Sequence, residues 1–368
     1  MAIKLMSISR NWKQSPIWFT VMLALGHLIA GGTTAVAQDR VTKVGTEKPI
    51  IGEITGMTNL DITLSTNRDG MVKITPNEVQ EIKWGKEPAR FSAGRTFDQK
   101  GFFPRAFEAY QEALQNLEPN QPMIKTDIEY HLLKLKAKMA MSGAALPDDQ
   151  TADALLKEFK TYLDQHKNTY VYYPGMMILG RLAHQQGKTE ATDYFAELQN
   201  TPWNDYKIWG YTAEGYKQLA AGEVDPALAT FEEALALPYS NKSDELARAE
   251  ATLGKVSVLV EKQQGEQALP LVNELIDAIP ADATETQARI YLAQGKLYQQ
   301  LGRNEEAVVA LLHVDILYPQ SAPEHAEALY HLNKLWAALG QPDRAATVST
   351  QLNNDYPESR WTAELNKN

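Results

Sequence analysis

The side chains that could support catalysis or bind a metal are few in this sequence and are not grouped. The chain has no cysteine, which excludes disulfides, thiolate metal ligands and cysteine nucleophiles. Of its seven histidines, His325 and His331 lie six residues apart, so a helix would point them in different directions. No zinc-binding His-Glu-x-x-His, serine-nucleophile or phosphate-loop motif occurs. We therefore predict no catalytic residue, no metal site and no bound cofactor.

Two groups of polar residues have a simpler structural explanation. Asp148 and Asp149 precede a helical pattern, where negative charge complements the helix dipole. Asp61 and Ser65 have no general base placed with them. The prediction that follows is a protein that is not an enzyme.

The overall charge argues against binding to nucleic acid. The 368 residues carry a formal net charge of −10, whereas a dedicated nucleic-acid binder needs basic surface to displace counterions. Hydrophobic residues make up 44% of the chain, which is ordinary for a globular protein.

The first 37 residues have the composition of a secretory signal peptide. Lys4, Arg10 and Lys13 precede an uncharged, largely apolar stretch, and Ala35 and Ala37 are placed as a cleavage site requires. We predict cleavage after Ala37, with an uncleaved membrane anchor as the alternative. The sequence thus predicts an exported protein, periplasmic or extracellular, that meets the membrane only transiently.

Residues 38–86 are predicted to form a small β module. Apolar and polar residues alternate in 60–65, 71–75 and 80–84, and Asp69-Gly70 supplies turn chemistry between the first two. Residues 50–57 form another predicted strand, with Gly52 at a bulge or a close approach. The module resembles the small SH3-like and Sm-like barrels. Because a unit of this size buries little apolar surface, we expect it to pack on the rest of the chain or to self-associate.

From residue 87 onward the period becomes helical, and one spacing recurs. The pattern is a glycine, six residues, a second glycine, four residues and an alanine. It occurs three times: at Gly94, Gly101 and Ala106; at Gly215, Gly222 and Ala227; and at Gly295, Gly302 and Ala307. The first glycine predicts a close approach of two helices, because glycine otherwise weakens a helix interior. The second predicts a left-handed turn at a helix end. The alanine begins the apolar stripe of the next helix.

These residues resemble the tetratricopeptide repeat, and the resemblance covers residues 87–368. It implies a mainly α fold, a right-handed α-solenoid of about seven helix-turn-helix repeats with a concave inner face. The predicted hinges are Gly101, Gly143, Gly187, Gly222, Gly265, Gly302 and Gly340. Departures from the pattern, such as Pro270 in an alanine position, predict an irregular superhelix.

The phrase Tyr-Pro-x-Ser occurs at 318–321 and again at 356–359. Proline ends one repeat, because it cannot continue a helix, and serine is placed to cap the next. The two tyrosines are predicted to pack at the joints between repeats. The phrase resembles repeats of bacterial envelope tetratricopeptide proteins, which agrees with the predicted export.

The resemblance also predicts a partner-binding surface, because certain positions of each first helix face the groove in this family. One such position holds Arg95, Arg181, Tyr216, Leu259, Lys296 and Lys334, and related positions hold Lys255 and Trp209. Four of the first six are basic in an acidic chain. An aligned stripe of this kind would attract an acidic peptide, and the aromatic residues could anchor it. Surface ion pairs with neighbouring acidic residues are the alternative.

The leading hypothesis is an exported, non-catalytic scaffold that binds a protein or acidic peptide of the envelope on its concave face. A self-assembling structural component of the envelope, joined through the β module, is the first alternative. An accessory subunit of an envelope enzyme complex is the second.

Overall fold

The N-terminal part of the described chain is a small antiparallel sheet. The structure is a computed structural model that describes residues 38–367, and the predicted signal peptide lies outside them. The strands are β1 (Asp39–Lys43), β2 (Ile50–Met57), β3 (Ile62–Thr66), β4 (Gly70–Ile74) and β5 (Val79–Lys83). Their spatial order is β4-β3-β2-β1-β5, and all neighbouring pairs are antiparallel.

One face of this sheet is apolar, because apolar side chains alternate along the strands. The inward residues are each at most 4% exposed: Val41, Ile54, Ile62, Leu64, Ile74 and Ile82. Gly52 lies where two strands come close, since a Cβ there would stand 2.5 Å from the Ser65 carbonyl oxygen. Within residues 38–367 no backbone hydrogen-bond ladder pairs β4 with β5, so the sheet does not close through hydrogen bonds. The likeness to SH3-like barrels stays a prediction.

Fifteen α-helices follow the sheet in the described residues, and the mainly helical fold is confirmed. They are α1 (Ala89–Gln99), α2 (Phe103–Gln115), α3 (Pro122–Ser142), α4 (Ala152–Gln165), α5 (Tyr172–Gln185), α6 (Ala191–Gln199), α7 (Asn204–Ala220), α8 (Val224–Ala236), α9 (Lys242–Glu261), α10 (Gly265–Ala278), α11 (Thr284–Gln300), α12 (Asn304–Leu317), α13 (Ala322–Ala338), α14 (Pro342–Asp355) and α15 (Arg360–Leu365). From α1 to α14 each odd-numbered helix packs on the even-numbered helix that follows it.

The mid-helix glycines mark close packing, as the spacing predicts. A Cβ on Gly94 would stand 2.4 Å from the Tyr110 ring, and one on Gly215 would stand 2.7 Å from the Phe231 ring. In both pairs the first helix lacks a side chain at the point where the second helix places an aromatic ring. The apolar stripe of each second helix is therefore buried against the first.

Six of the seven predicted hinge glycines have a left-handed conformation, with φ between 66° and 79°. Gly265 is the exception, because it is the first residue of α10, and Gln263 makes the left-handed turn with a φ of 59°. Gly265 is buried, and a Cβ there would stand 3.0 Å from a Leu301 methyl. A side chain at this position would crowd the leucines at the end of α11, and the left-handed turn is made by Gln263, so the prediction of a hinge at Gly265 is wrong.

The two Tyr-Pro-x-Ser phrases lie at joints between helices. Tyr318 and Tyr356 are 6% and 5% exposed, as expected for residues packed at a joint. The Ser359 hydroxyl accepts a hydrogen bond from the backbone N–H two residues later, 3.2 Å away, and so caps α15. Ser321 does not cap α13, because its hydroxyl donates instead to the Thr284 carbonyl at 3.4 Å.

The last helices of the chain pack against the first ones. Helix α13 packs against α3, although nine helices separate them along the chain. The Glu358 N–H donates to the Gly143 carbonyl at 2.8 Å, and a Cβ on Gly101 would stand 3.4 Å from the Gln320 Cα. The largest buried apolar cluster extends from the sheet through α1–α6 and continues into α11–α14. The superhelix is therefore closed on itself.

The sheet packs near the N-terminal ends of three odd-numbered helices. Trp84 Nε1 donates to the Asp127 carboxylate of α3 at 2.7 Å. Asn77 Nδ2 donates to the Asp205 carboxylate of α7 at 3.0 Å, and the Ser243 hydroxyl of α9 donates to the Asn77 carbonyl at 2.7 Å. The β module and the helices thus form one compact unit.

The closure contact can be tested with two glycines of similar conformation. Gly143 and Gly187 have φ values of 77° and 66°, so alanine strains the backbone at either by about 1 kcal/mol. At Gly143 an added Cβ would also stand 2.1 Å from the Ser359 nitrogen. An added Cβ at Gly187 would have no atom of the described residues within 4 Å, apart from its chain neighbours. We expect urea denaturation to show a loss of about 2–4 kcal/mol for Gly143→Ala and about 1 kcal/mol for Gly187→Ala. Equal losses would contradict a stabilising closure.

The sheet–helix junction predicts a pH dependence. Burial raises the pKa of Asp205 to about 6, although the Asn77 amide opposes the shift by donating to the charged form. Between pH 4 and 6 the folded protein therefore holds a proton that the unfolded chain has released, and raising the pH disfavours folding. We expect the unfolding free energy of the wild type, minus that of Asp205→Asn, to fall as the pH rises from 4 to 7. Subtracting the two unfolding free energies cancels the contributions of the other titrating groups. A difference that does not change with pH would refute the raised pKa of Asp205.

Candidate functional site

Arg95, predicted to face the groove, is instead buried between the sheet and α1. It is 4% exposed, its Nε lies 3.3 Å from Glu81, and its guanidinium also pairs with Glu87. Its Cζ stands 4.2 Å from the centroid of the Phe91 ring. The β5 strand and the linker after it cover this face of α1. Arg95 therefore holds the sheet to the helices and is not accessible to a partner in this structure.

Arg181 belongs to a network of opposite charges on helices that face one another across the closed superhelix. We call this set the inner charge network: Asp98, Lys138, Arg181, Glu250, Glu285, Arg289 and Glu324. Arg181 of α5 lies 3.8 Å from Glu285 of α11 and 3.9 Å from Glu324 of α13. The closure thus supplies the carboxylates that neutralise this predicted partner-binding arginine.

Two carboxylates at the centre of the network differ in exposure. The side chain of Glu324 is 10% exposed, and burial raises its pKa. The side chain of Glu285 is 44% exposed. Burial acts to raise the pKa of Glu285, but nearby cations, Lys138 and Arg181 foremost, hold it well below its usual range. Glu285 is therefore a charged group that water can reach.

A small cavity of about 30 Å³ lies beside the network, with room for one or two water molecules. Lys134, Lys138 and Arg181 contribute its cationic lining, and Glu285 and Glu324 contribute its acidic lining. Lys134 is half-buried and, within residues 38–367, has no ion-pair partner. Burial lowers the pKa of Lys134, and the charge of Lys138 adds to that effect.

Trp209 borders the same network, whereas Tyr216 does not reach the cavity. The half-buried Trp209 ring lies 6.0 Å from the Arg289 guanidinium carbon, and Arg289 pairs with Glu250. Tyr216 packs edge-on against Phe231, with ring centroids 5.2 Å apart, and belongs to the joint between α7 and α8.

Lys255 of α9 forms an ion pair with a residue of the preceding helix, α8. Its Nζ lies 2.9 Å from Glu232 of α8, and Lys262 lies 2.6 Å from Asp225 of the same helix. These exposed pairs match the alternative of surface ion pairs, and each contributes about 1 kcal/mol or less.

Lys296 and Lys334 meet near the C-terminal end of the chain. With Arg360 they form what we call the C-terminal basic patch. Lys296 Nζ lies 2.7 Å from Glu327, and the Arg360 side chain, 67% exposed, lies 3.9 Å from the same carboxylate. Lys334 is exposed, and its Nζ stands 4.6 Å from the centroid of the Tyr330 ring. The partly buried Glu327 carboxylate thus lies near two of the three cations, and Lys334 is linked to Arg360 through the neighbouring Tyr330 and Trp361 rings.

The predicted residues therefore do not form one stripe. The structure brings Arg181 and Trp209 to the inner charge network and Lys296 and Lys334 to the basic patch. The contacts described for Arg95, Tyr216 and Lys255 are with residues outside both sets. Sequence reasoning missed Lys134 and the acidic residues of α11 and α13, since their partners lie many repeats away.

An open groove of about 890 Å³ lies between α2, α3 and α4. Phe107, Leu114 and Leu132 contribute apolar lining, and Lys136 pairs with Glu158 at its rim, 3.2 Å apart. Within residues 38–367 no cluster of three or more His, Asp or Glu side chains is placed to hold a metal ion. Over the same residues, no helix has both the length and the apolar character of a membrane span.

The structural role of Arg95 can be tested against a second arginine of the same helix. Replacing Arg95 with leucine leaves the largely buried Glu87 carboxylate without its cation and leaves Glu81 with Lys83 as its ion-pair partner, which costs about 3 kcal/mol. Arg90 pairs with Glu112 at the surface, with both side chains more than 40% exposed, so Arg90→Leu should cost about 1 kcal/mol or less. Chemical denaturation measures both losses. A mild effect of Arg95→Leu would show that the buried pairs do not hold the sheet.

No family model matches this chain, and no curated protein matches it. Among solved structures it is similar to a tetratricopeptide repeat protein from Parabacteroides merdae ATCC 43184, with 17% identity over 76% of this chain and 96% of that one, and a TM-score of 0.42. It is also similar to a Rap protein complexed with Competence and Sporulation Factor, at 13% identity, 75% and 78% coverage and a TM-score of 0.48. YrrB, a TPR protein described with an unusual peptide-binding site, gives 17% identity, 58% and 100% coverage and a TM-score of 0.31.

Proposed function

We propose that this protein is an exported, non-catalytic scaffold that binds an acidic segment of an envelope protein. The observation that carries the proposal is the C-terminal basic patch, where Lys296, Lys334 and Arg360 converge from α11, α13 and α15. Their side chains are more exposed than the cations of the inner charge network: Lys296 and Arg360 are 50% and 67% exposed, whereas Lys138 and Arg181 are 19% and 25% exposed.

The patch has the chemistry to recognise carboxylates. Arg360 and Lys334 stand over the Trp361 and Tyr330 rings, which lie 5.0 Å apart. Aromatic faces beneath cations restrict the side chains, so less freedom is lost when a partner binds. A basic patch on an acidic chain also steers an acidic partner and repels other surfaces of like sign.

The proposed binding surface is not the centre of the concave face. The closure places carboxylates of α11 and α13 against the cations of α3 and α5, so the more exposed cations of the C-terminal basic patch are proposed as the binding surface instead. A right-handed solenoid of seven repeats remains part of the proposal.

The β module supports a second candidate, self-assembly. Strand β4 is an edge strand, and Met71 on it is 62% exposed. Ile51 and Leu60, 46% and 49% exposed, add apolar surface to the module. Unpaired edges of this kind can add a strand from another chain. Light scattering over a concentration series tests it, and a monomer at all concentrations would exclude it.

Export is part of the proposal and is supported by the composition of residues 1–37. Expression of the full chain with a C-terminal tag, followed by fractionation and mass determination, tests both location and cleavage. A cytoplasmic protein with residues 1–37 intact would overturn it.

Charge reversal should separate the patch from the rest of the surface. We expect Lys334→Glu combined with Arg360→Glu to reduce capture of the envelope partner at least tenfold in affinity purification with quantitative mass spectrometry. The loss of two attractive charges and the gain of two repulsive ones account for this magnitude.

The matched control is Arg105→Glu combined with Lys157→Glu, which makes the same charge change at exposed positions of α2 and α4. Capture that is equal for the patch variant and the control would reject the basic patch as the binding surface.

A further inference from the structure

The cations on the inner side of α3 and α5 are neutralised by helices far along the chain. Lys138 of α3 lies 3.5 Å from Glu285, and Arg181 of α5 lies 3.8 Å from the same side chain. Glu285 belongs to α11, and it reaches these cations because the superhelix closes. Lys134, one helical turn before Lys138, lines the same cavity.

These contacts are longer than the ion pairs that Lys255 and Lys262 make on α8. Distances of 3.5 and 3.8 Å from Glu285 exceed a hydrogen bond, whereas Lys255 and Glu232 are 2.9 Å apart and Lys262 and Asp225 are 2.6 Å apart. Glu285 is also the most exposed carboxylate of the inner charge network among those with a stated side-chain exposure, at 44%. A carboxylate held this loosely and open to water can be replaced by another.

Three cations surround the Glu285 carboxylate. Lys134, Lys138 and Arg181 all contribute to holding Glu285 in its charged form. Lys138 also pairs with Asp98, and Arg181 also lies near Glu324, but Lys134 has no ion-pair partner within residues 38–367. Lys134 is therefore a cation of this lining that the carboxylate of a partner could approach.

We propose that Lys134, Lys138 and Arg181 form a carboxylate-binding site for an acidic peptide, and that Glu285 fills this site when no peptide is bound. A peptide glutamate or aspartate takes the place of the Glu285 carboxylate, which moves into the solvent that it already contacts. This inference takes the acidic partner from the proposed function and adds a second subsite, regulated by a built-in competitor.

The probe is a fluorescein-labelled octaglutamate peptide, measured by fluorescence anisotropy with the protein comprising residues 38–368. Glu285→Gln keeps the shape of the side chain and removes its charge, so the peptide no longer competes with it. We expect this variant to bind octaglutamate about tenfold more tightly than the wild type. Unchanged or weaker binding by the folded variant overturns the proposal.

Two lysines of α3 provide a matched pair that does not leave a carboxylate unpaired in the cavity. Lys134→Met removes the unpaired inner cation, whereas Lys136→Met removes a lysine that faces the outer groove and pairs with Glu158. We expect Lys134→Met to weaken octaglutamate binding at least fivefold and Lys136→Met to leave it within twofold. Equal effects overturn the proposal, and circular dichroism confirms that both variants are folded.

Two further binding measurements distinguish the inner carboxylate-binding site from the C-terminal basic patch. The difference between Lys134→Met and Lys136→Met should persist when Lys334 and Arg360 are both reversed in charge. If it disappears, the octaglutamate binds only at the basic patch, and the proposed function stands while the inner subsite falls. Free L-glutamate at millimolar concentration should not displace the peptide, and displacement would show a small-molecule site instead.

Discussion

The return of α13 to α3 is the constraint on which the rest of the structure depends. A stack of helix pairs would ordinarily bury only nearest-neighbour surfaces. Here one apolar cluster joins the sheet, the first three helix pairs and the helices from α11 to α14. A backbone hydrogen bond from Glu358 to Gly143 fixes the register of that contact. As a result, cations on the inner side of α3 and α5 lie against carboxylates of helices far along the chain.

The closure divides the basic residues of the inner helices into two groups. Arg181 and Lys138 lie where the superhelix is closed, and acidic residues of distant repeats neutralise them. Lys334 and Arg360 remain exposed, and Arg360 lies no nearer than 3.9 Å to the Glu327 carboxylate. The basic residues therefore differ in environment according to whether a carboxylate of a distant helix lies against them. The proposed binding surfaces follow from this division.

Local features of the fold could be predicted from the sequence, because their partners are close along the chain. The pairing of Gly94 with Tyr110 and the left-handed turn at Gly222 each involve adjacent helices, and the spacing alone indicates them. The burial of Arg95 could not be predicted in this way. The resemblance to tetratricopeptide repeats predicts that Arg95 faces a groove, whereas in the structure its guanidinium pairs with Glu81 of β5 and with Glu87 of the linker. Glu285 was missed for the same reason, since no periodicity relates it to Lys138.

The closure also bears on the order of events during folding. In repeat proteins folding can begin at any unit and spread to its nearest neighbours. In this chain the first repeats complete their core only when the last ones arrive, which raises the contact order and slows folding. A nascent chain stopped before residue 322 would leave the inner side of α3 and the Gly143 carbonyl without their partners. Such a fragment would expose apolar surface that the finished protein covers, so the C-terminal repeats also protect the protein against misassembly.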